Sequence, residues 1–514
     1  MVKTFGRERL IPGGVFRIEL PCMRKIKASL AIACFAATIS AAVVSPGIAF
    51  AAPVGSPSTT SVPKLTGPIP VTADSFPFLA ANRVFQPLDL QKAGYVEEEF
   101  IVTGTANVYD WAADGSLTVK TPNAPYSTRI LVRRPADRAR FSGHAVVELL
   151  NPARRFDWAM MSGYSRDSFI EHGDAWVGVT MPGSVDALRK FNPSRYPSVA
   201  FANPDPSETC ASGRGGAAAT SDQEEGLRWD MISQVGAALK NGAGLNARYL
   251  YMTSQGADVL TYAAAIQTHA NLENGKPVYD GFLVKTPGGV GRIRRCAPAV
   301  PRGDARQTIK NVGVPVIEVV AQGEIGPDYQ REDSNQPNDR FRIYEVAGAA
   351  HIDKWAYREL PVMQDQLAAM GTPGQGTPAW PFNVKCDPEI PLQEHPLLKY
   401  IFDGAFVNLE QWAGKGVAPP KAERITMKDG VPVGGVRNPY VDVPAASYTT
   451  TSAGPGTCRE LGSTIAFDSA KIDSLYGNHK KYEEKVAQSV DGMVKDRWIT
   501  KSDGQKIKAE AAGK

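Results

Sequence analysis

From about residue 97 onward, short unbroken apolar runs are separated by stretches of helical periodicity. Phe100-Ile101-Val102 and Arg129 to Val132 read as the first strands. Ala145 to Leu150 follows and stops at Asn151-Pro152. Ala175 to Val179, Arg248 to Met252, Val314 to Val320 and Phe341 to Val346 repeat the pattern. Runs that are apolar at every position need cover on both faces of their sheet. Separated by helices, they predict an α/β domain: a mostly parallel sheet with helices on either side. The run at 248–252 leads directly into Ser254 and a helical stretch through Ala265.

Other segments depart from this rhythm. Residues 203–225 are small, polar and Gly-rich and read as a mobile loop over one edge. Residues from about 356 to 385 and 415 to 465 are rich in Pro and Gly, so 356–465 is expected to be a cap or C-terminal elaboration without a core of its own. Residues 466–514 are helical and charged, as solvent-exposed helices are. Residues 52–70 are rich in Pro, Ser, Thr and Gly and read as a flexible leader, within an N-terminal extension spanning 52–94. The domain itself is expected over 95–514.

The amino-terminal 51 residues read as a targeting segment. Met23-Arg24-Lys25 and Lys27 are basic, Ala28 to Val44 is apolar, and Ala49-Phe50-Ala51 offers a small-x-small cleavage pattern. This predicts a signal peptide cleaved before Ala52, and a secreted or periplasmic protein. An uncleaved membrane anchor is the alternative. No later segment has eighteen unbroken apolar residues, so no stable membrane insertion of the mature chain is expected. Residues 1–51 hold seven Lys/Arg and two Asp/Glu, so their removal takes the net charge from +4 to −1. Nothing in that balance points to a nucleic-acid partner. With 43% hydrophobic and 21% charged residues in 514, the chain can bury a large core.

Cys210, Cys296, Cys386 and Cys458 remain after cleavage, and an even number in an oxidising compartment predicts disulfides. Three connectivities are open. Cys386 with Cys458 is preferred because both flank the C-terminal elaboration, which leaves Cys210 for Cys296. No CxxC is present, so no zinc or redox site is expected.

The chemistry concentrates around Ser254. In Met252-Thr253-Ser254-Gln255-Gly256 a strand runs into a serine and a helix follows, the layout of a nucleophile elbow. The first glycine of G-x-S-x-G is replaced by Met252, and Ser254 as a mere helix cap is the competing reading. A hydroxyl nucleophile needs a base, and the base an orienting acid. Of the six histidines, His351 sits on a small-residue turn just after the strand ending at Val346. His395 and His479 read as surface residues. The acid is expected on the loop after Val314 to Val320. Glu324 lies four residues past that strand, Asp328 eight past, and a solvated loop charge is the plainer reading of Glu324. For an oxyanion hole the backbone N–H of Gln255 is one candidate donor. Asn151 is another, or else it only turns the chain before Pro152.

With these residues together, the chain resembles the α/β-hydrolase superfamily. More closely, it is similar to exported bacterial α/β-hydrolase-domain proteins with an S-Q elbow. Shared segments are V-E-x-L-N at Val147 to Asn151, W-V-G-V at Trp176 to Val179, and a WDMISQVGAAL-like helix at Trp229 to Leu239. Ser254-Gln255, E-V-A-G-x-x-H at Glu345 to His351, and G-G-V-R-x-P-x-V-D-V-P at Gly434 to Pro444 complete the set. The likeness covers roughly 95–500. It departs at Met252 and at the acid loop, where Glu324 stands in place of the usual Asp. The resemblance implies an α/β-hydrolase fold and a serine hydrolase with a Ser254–Glu324–His351 triad. The expected substrate is a small-molecule carboxylic ester, and neither a metal nor an organic cofactor is expected to be needed. Acyl transfer on the same triad and a non-catalytic binding protein on this scaffold are the alternatives.

Overall fold

The computed structural model describes residues 58–210, 222–242, 245–285, 288–326, 331–361, 386–387, 392–428, 431–454 and 456–513. The expected signal peptide, the first residues of the leader, residues 211–221 of the Gly-rich loop and most of 362–391 lie outside them. Ten strands form one sheet. In chain order they are β1 (Lys64–Thr66), β2 (Tyr95–Trp111), β3 (Leu117–Pro135), β4 (His144–Leu149) and β5 (Ala175–Val179). Then come β6 (Tyr249–Gln255), β7 (Gly281–Lys285), β8 (Val316–Ala321), β9 (Ser334–Gln336) and β10 (Asp339–Val346). Across the sheet the order is β9-β10-β8-β7-β6-β4-β5-β3-β2-β1. From β10 to β5 every pairing is parallel. The long β2–β3 hairpin is antiparallel and joins through β3 to β5.

The fully apolar runs are the central strands. All positions of β5, β7 and β8 are buried, as expected of strands covered on both faces. β6 lies in the middle, flanked by β4 and β7. Among the helices packed on the sheet are α1 (Met160–His172), α2 (Arg228–Asn241), α3 (Ala257–Thr261) and α4 (Lys399–Lys415). Among the described residues, no helix is long and apolar enough to cross a membrane.

Two of the sequence motifs meet on one buried carboxylate. Glu148 of β4, 1% exposed, accepts from the Met161 and Ser162 N–H groups at 2.7 and 2.9 Å and from Trp176 Nε1 at 2.8 Å. It therefore caps the first turn of α1 and fixes Trp176 on β5, satisfying groups that burial would otherwise leave unpaired. Two further motifs meet at the end of β10. Val436 N–H donates to the Glu345 carbonyl at 2.7 Å, and a Cβ on Gly435 would come within 2.7 Å of that same oxygen.

The leader is held more firmly than its composition predicts. Lys64–Thr66 pairs with β2 as the sheet's edge strand. Arg133 donates to the Leu79 carbonyl at 2.7 Å, and Arg195 to the Pro70 carbonyl at 2.8 Å. Both arginines are buried, and each is ion-paired: Arg133 with Glu97 and Glu359, Arg195 with Glu99. Buried arginines and the bonds from Ile69, Ala81 and Phe85 N–H to Glu99, Glu97 and Leu360, and not local propensity, hold this segment.

The expected disulfides are present: Cys210–Cys296 and Cys386–Cys458.

Candidate active site

The carboxyl ends of β4, β6, β8 and β10 lie along one edge of the sheet, and each carries a candidate residue. β8 ends at Ala321 and a single 3-10 turn, Gln322–Glu324, follows. Glu324 Oε2 accepts from the Ala321 N–H at 2.8 Å, and its Oε1 meets His351 Nδ1. Gly323 is required there, because a Cβ would come within 2.5 Å of the Thr450 carbonyl. The histidine loop is laced to the acid loop. Gly348 N–H donates to Gln322 Oε1 at 2.8 Å, and Gly323 N–H donates to the Ala349 carbonyl at 3.1 Å. Gly348 adopts φ +73°, the left-handed turn that lets the chain present His351. His351 and Glu324 are thus brought together, as expected. Asp328 lies outside the described residues.

Lys285, at the end of β7, was not anticipated. Its side chain is wholly buried and its Nζ lies 3.4 Å from Glu324 Oε1. Burial pushes the Glu324 carboxyl upward, but the attraction of Lys285 and the bond to His351 overcome it and hold the group at about 2. Glu324 thus meets His351 through Nδ1, which leaves Nε2 for the other side of the ring. The signal for Lys285 was a lysine closing GFLVK, an apolar run as long and unbroken as that of β5.

The end of β6 differs from the expected elbow. The strand continues through Ser254 and Gln255, and the sharp turn falls at Gly256, φ +114°, before α3 begins at Ala257. A Cβ at Gly256 would touch nothing within 4 Å. Ser254, 4% exposed, donates its Oγ–H to the Leu149 carbonyl at 2.7 Å. Successive strand residues face opposite ways, and it is Gln255 that reaches the histidine: its Nε2 lies 2.5 Å from His351 Nε2. Asn151 Nδ2 donates to Gln255 Oε1 at 2.9 Å, while Asn151 Oδ1 accepts from the Ala153 N–H at 2.8 Å. Both candidate oxyanion residues are therefore at the site, joined through their side chains. Ser254 and His351 are not hydrogen-bonded to each other; the Gln255 amide stands at the imidazole. Ser254, Gln255, Asn151, Met181 and Asp258 line a cavity of about 200 Å³. His479 is exposed, as expected. His395 is half-buried against Tyr440 and Tyr448, with its Nδ1 2.6 Å from the Tyr448 hydroxyl, and takes no part.

The sequence matches the alpha/beta hydrolase domain family over residues 65–509, most of the chain. The protein is an α/β-hydrolase. No curated protein sequence matches this hydrolase. Among solved structures, it is similar to a thermostable esterase from Pseudomonas putida at 13% identity and a TM-score of 0.28, over 56% of this chain and 83% of that one. It is also similar to an α/β serine hydrolase from Xanthomonas campestris at 11% identity and a TM-score of 0.24, over 54% and 97% of the two chains. A serine hydrolase homologue from Coxiella burnetii gives 8% identity and a TM-score of 0.25, over 48% and 93%. The membership of this α/β-hydrolase rests on the family match, which spans every strand from β2 to β10 and all the site residues.

Proposed function

We propose that this hydrolase cleaves small carboxylic esters through Ser254, His351 and Glu324. The observation that carries this reading is the His351–Glu324 pair, anchored by Lys285 and aimed from the sheet's carboxyl edge at the end of β6. In the proposed reaction the Gln255 amide leaves His351 Nε2 and Ser254 Oγ turns from the Leu149 carbonyl toward it. Oγ attacks the ester carbon as Nε2 takes its proton. The tetrahedral intermediate collapses, the C–O bond to the alcohol breaks, and His351 returns the proton to the departing alkoxide. Water, deprotonated by His351, then releases the acid and restores Ser254. The Gln255 N–H and Asn151 are the proposed oxyanion donors, each worth typically ~10²–10³ in rate. A cavity of about 200 Å³ beside Ser254 favours short acyl groups.

A second reading has its own support. Ser254 is bonded to Leu149, and Gln255 occupies the nitrogen that would activate it. That arrangement suits a binding protein that has kept the scaffold. A fluorophosphonate probe separates the two, because it labels only an activated serine. The proposed enzyme is labelled at Ser254 and hydrolyses p-nitrophenyl acetate. Ser254→Ala and His351→Ala each lose several orders of magnitude in kcat, and the double variant is little worse, since triad members act as a unit. Gln255→Ala, which clears the imidazole, keeps the label. No labelling in either the wild type or Gln255→Ala establishes the binding protein instead, and single-variant losses below about tenfold show that the triad assignment is wrong.

A further inference from the structure

A second cluster of chemistry-bearing side chains lies at the opposite edge of the sheet. His144 opens β4, Asp174 immediately precedes β5, and Glu410 lies on α4. β4 rises about 3.3 Å per residue, so its six residues put this cluster some 17 Å from the candidate active site. One ligand atom from each of the three residues lies within 4.8 Å of the others. Asp174 is 2% exposed, and the His144 and Glu410 side chains are 22% and 16% exposed.

Two of the three ligand atoms are already as close as donors on a shared ion. His144 Nδ1 lies 3.2 Å from Glu410 Oε2, yet that nitrogen is buried without an aligned hydrogen-bond partner. Ligands at about 2.0–2.1 Å around a tetrahedral ion stand roughly 3.4 Å apart, so the spacing suits two donors sharing one cation. Ser142 holds the third donor in place. Its hydroxyl donates to Asp174 Oδ1 at 2.7 Å and accepts from the His144 N–H at 2.9 Å. An independent observation comes from β6. Tyr251 is fully buried, its ring packs edge-on to the His144 ring at 5.7 Å, and its hydroxyl has no hydrogen-bond partner. That hydroxyl lies in the field of Glu410 and Asp174. A buried phenol left unpaired against the His144 ring is costly unless a further group satisfies it.

We propose that His144, Asp174 and Glu410 bind one divalent cation of the zinc class, with the Tyr251 hydroxyl lining the site. One imidazole and two carboxylates suit zinc or its transition-metal neighbours; calcium and magnesium take all-oxygen sets. The ion would clamp α4, which belongs to the C-terminal elaboration, onto the amino ends of β4 and β5. It has no part in the ester chemistry, so the proposal stands or falls apart from the triad.

The test uses the full chain after dialysis against EDTA, titrated with zinc chloride and separately with magnesium chloride, with calorimetry and thermal unfolding as readouts. Expected are one equivalent of bound zinc, a rise in Tm with zinc, and no response to magnesium. Glu410→Gln and His144→Ala each weaken zinc binding by at least about tenfold and lose the zinc-dependent rise. Glu410→Gln is near-isosteric and guards against a misfolded His144→Ala. Absence of zinc binding to the wild type, wild-type affinity retained in both variants, or an equal response to magnesium overturns the proposal.

Discussion

Glu324 carries charge in a place where charge is expensive, and Lys285 is what makes that tolerable. The two buried ions lie 3.4 Å apart, and the carboxylate also takes the Ala321 N–H and the imidazole. Truncating one partner of such a set leaves the other uncompensated. In the proposed mechanism Glu324→Gln lowers kcat by up to ~10⁴, because the neutral amide would no longer select the tautomer in which His351 acts as base. Its stability should carry a pH signature as well. The carboxyl sits at about 2 in the fold against an ordinary 4.5. A depressed carboxyl contributes stability that is full above the ordinary value and lost as pH falls through the folded one. The gap in unfolding free energy between wild type and Glu324→Gln should therefore shrink steadily between about pH 4.5 and 2 in denaturant titrations. A gap independent of pH would show that folding leaves the carboxyl's affinity for protons unchanged. At this scale the sequence was a good guide to which residues gather and a poor one to who touches whom. Ser, acid and His follow the order of the fold, so their arrival at one edge was legible. The turn's shift from Ser254 to Gly256 was not, since any of Ser254, Gln255 or Gly256 could end an apolar strand.

At the level of elements, the motifs prove to be joints. Glu148 ties β4 to α1 and to Trp176, and the G-G-V segment closes against β10 through Gly435. The latter joint makes a sharp prediction. Gly435 has φ +72°, and a Cβ there would lie 2.4 Å from Ile425 Cγ1 and 2.7 Å from the Glu345 carbonyl. Gly303 has φ +79° with open space around it. Gly303→Ala should cost about 1–2 kcal/mol, the left-handed penalty alone, and Gly435→Ala clearly more. Chemical denaturation of the two variants checks this; equal costs would mean that the joint gives way. Most central strands were readable because burial on both faces leaves unbroken apolar runs. β7 is no shorter than β5, which was read, but it ends in a lysine whose partner, Glu324, lies thirty-nine residues on. The edge strand β1 was missed because its order is imposed from outside, by pairing to β2 and by buried arginines further along the leader, and leaves no local pattern.

On the scale of the whole molecule, two covalent links restrain the described unit. Cys210–Cys296 spans 86 residues and Cys386–Cys458 spans 72. Loops of that length are worth about 4 kcal/mol each in the chain-entropy account. Replacing Cys386 and Cys458 together by Ser should lower the melting temperature by several degrees, and adding a reductant should then lower it further through the remaining link. An unchanged melting temperature in the double variant would mean that the elaboration is held by packing alone. The composition foretold that the cysteines would pair, and the partners followed from where the insertions fall. The two loops also do not interleave: the first closes at residue 296 before the second opens at residue 386. A polypeptide made and threaded amino-terminus first completes each pair before the next thiol emerges. In a chain cleaved before Ala52, as the sequence predicts, oxidation in order of emergence yields the native pairing without an isomerase to unscramble it.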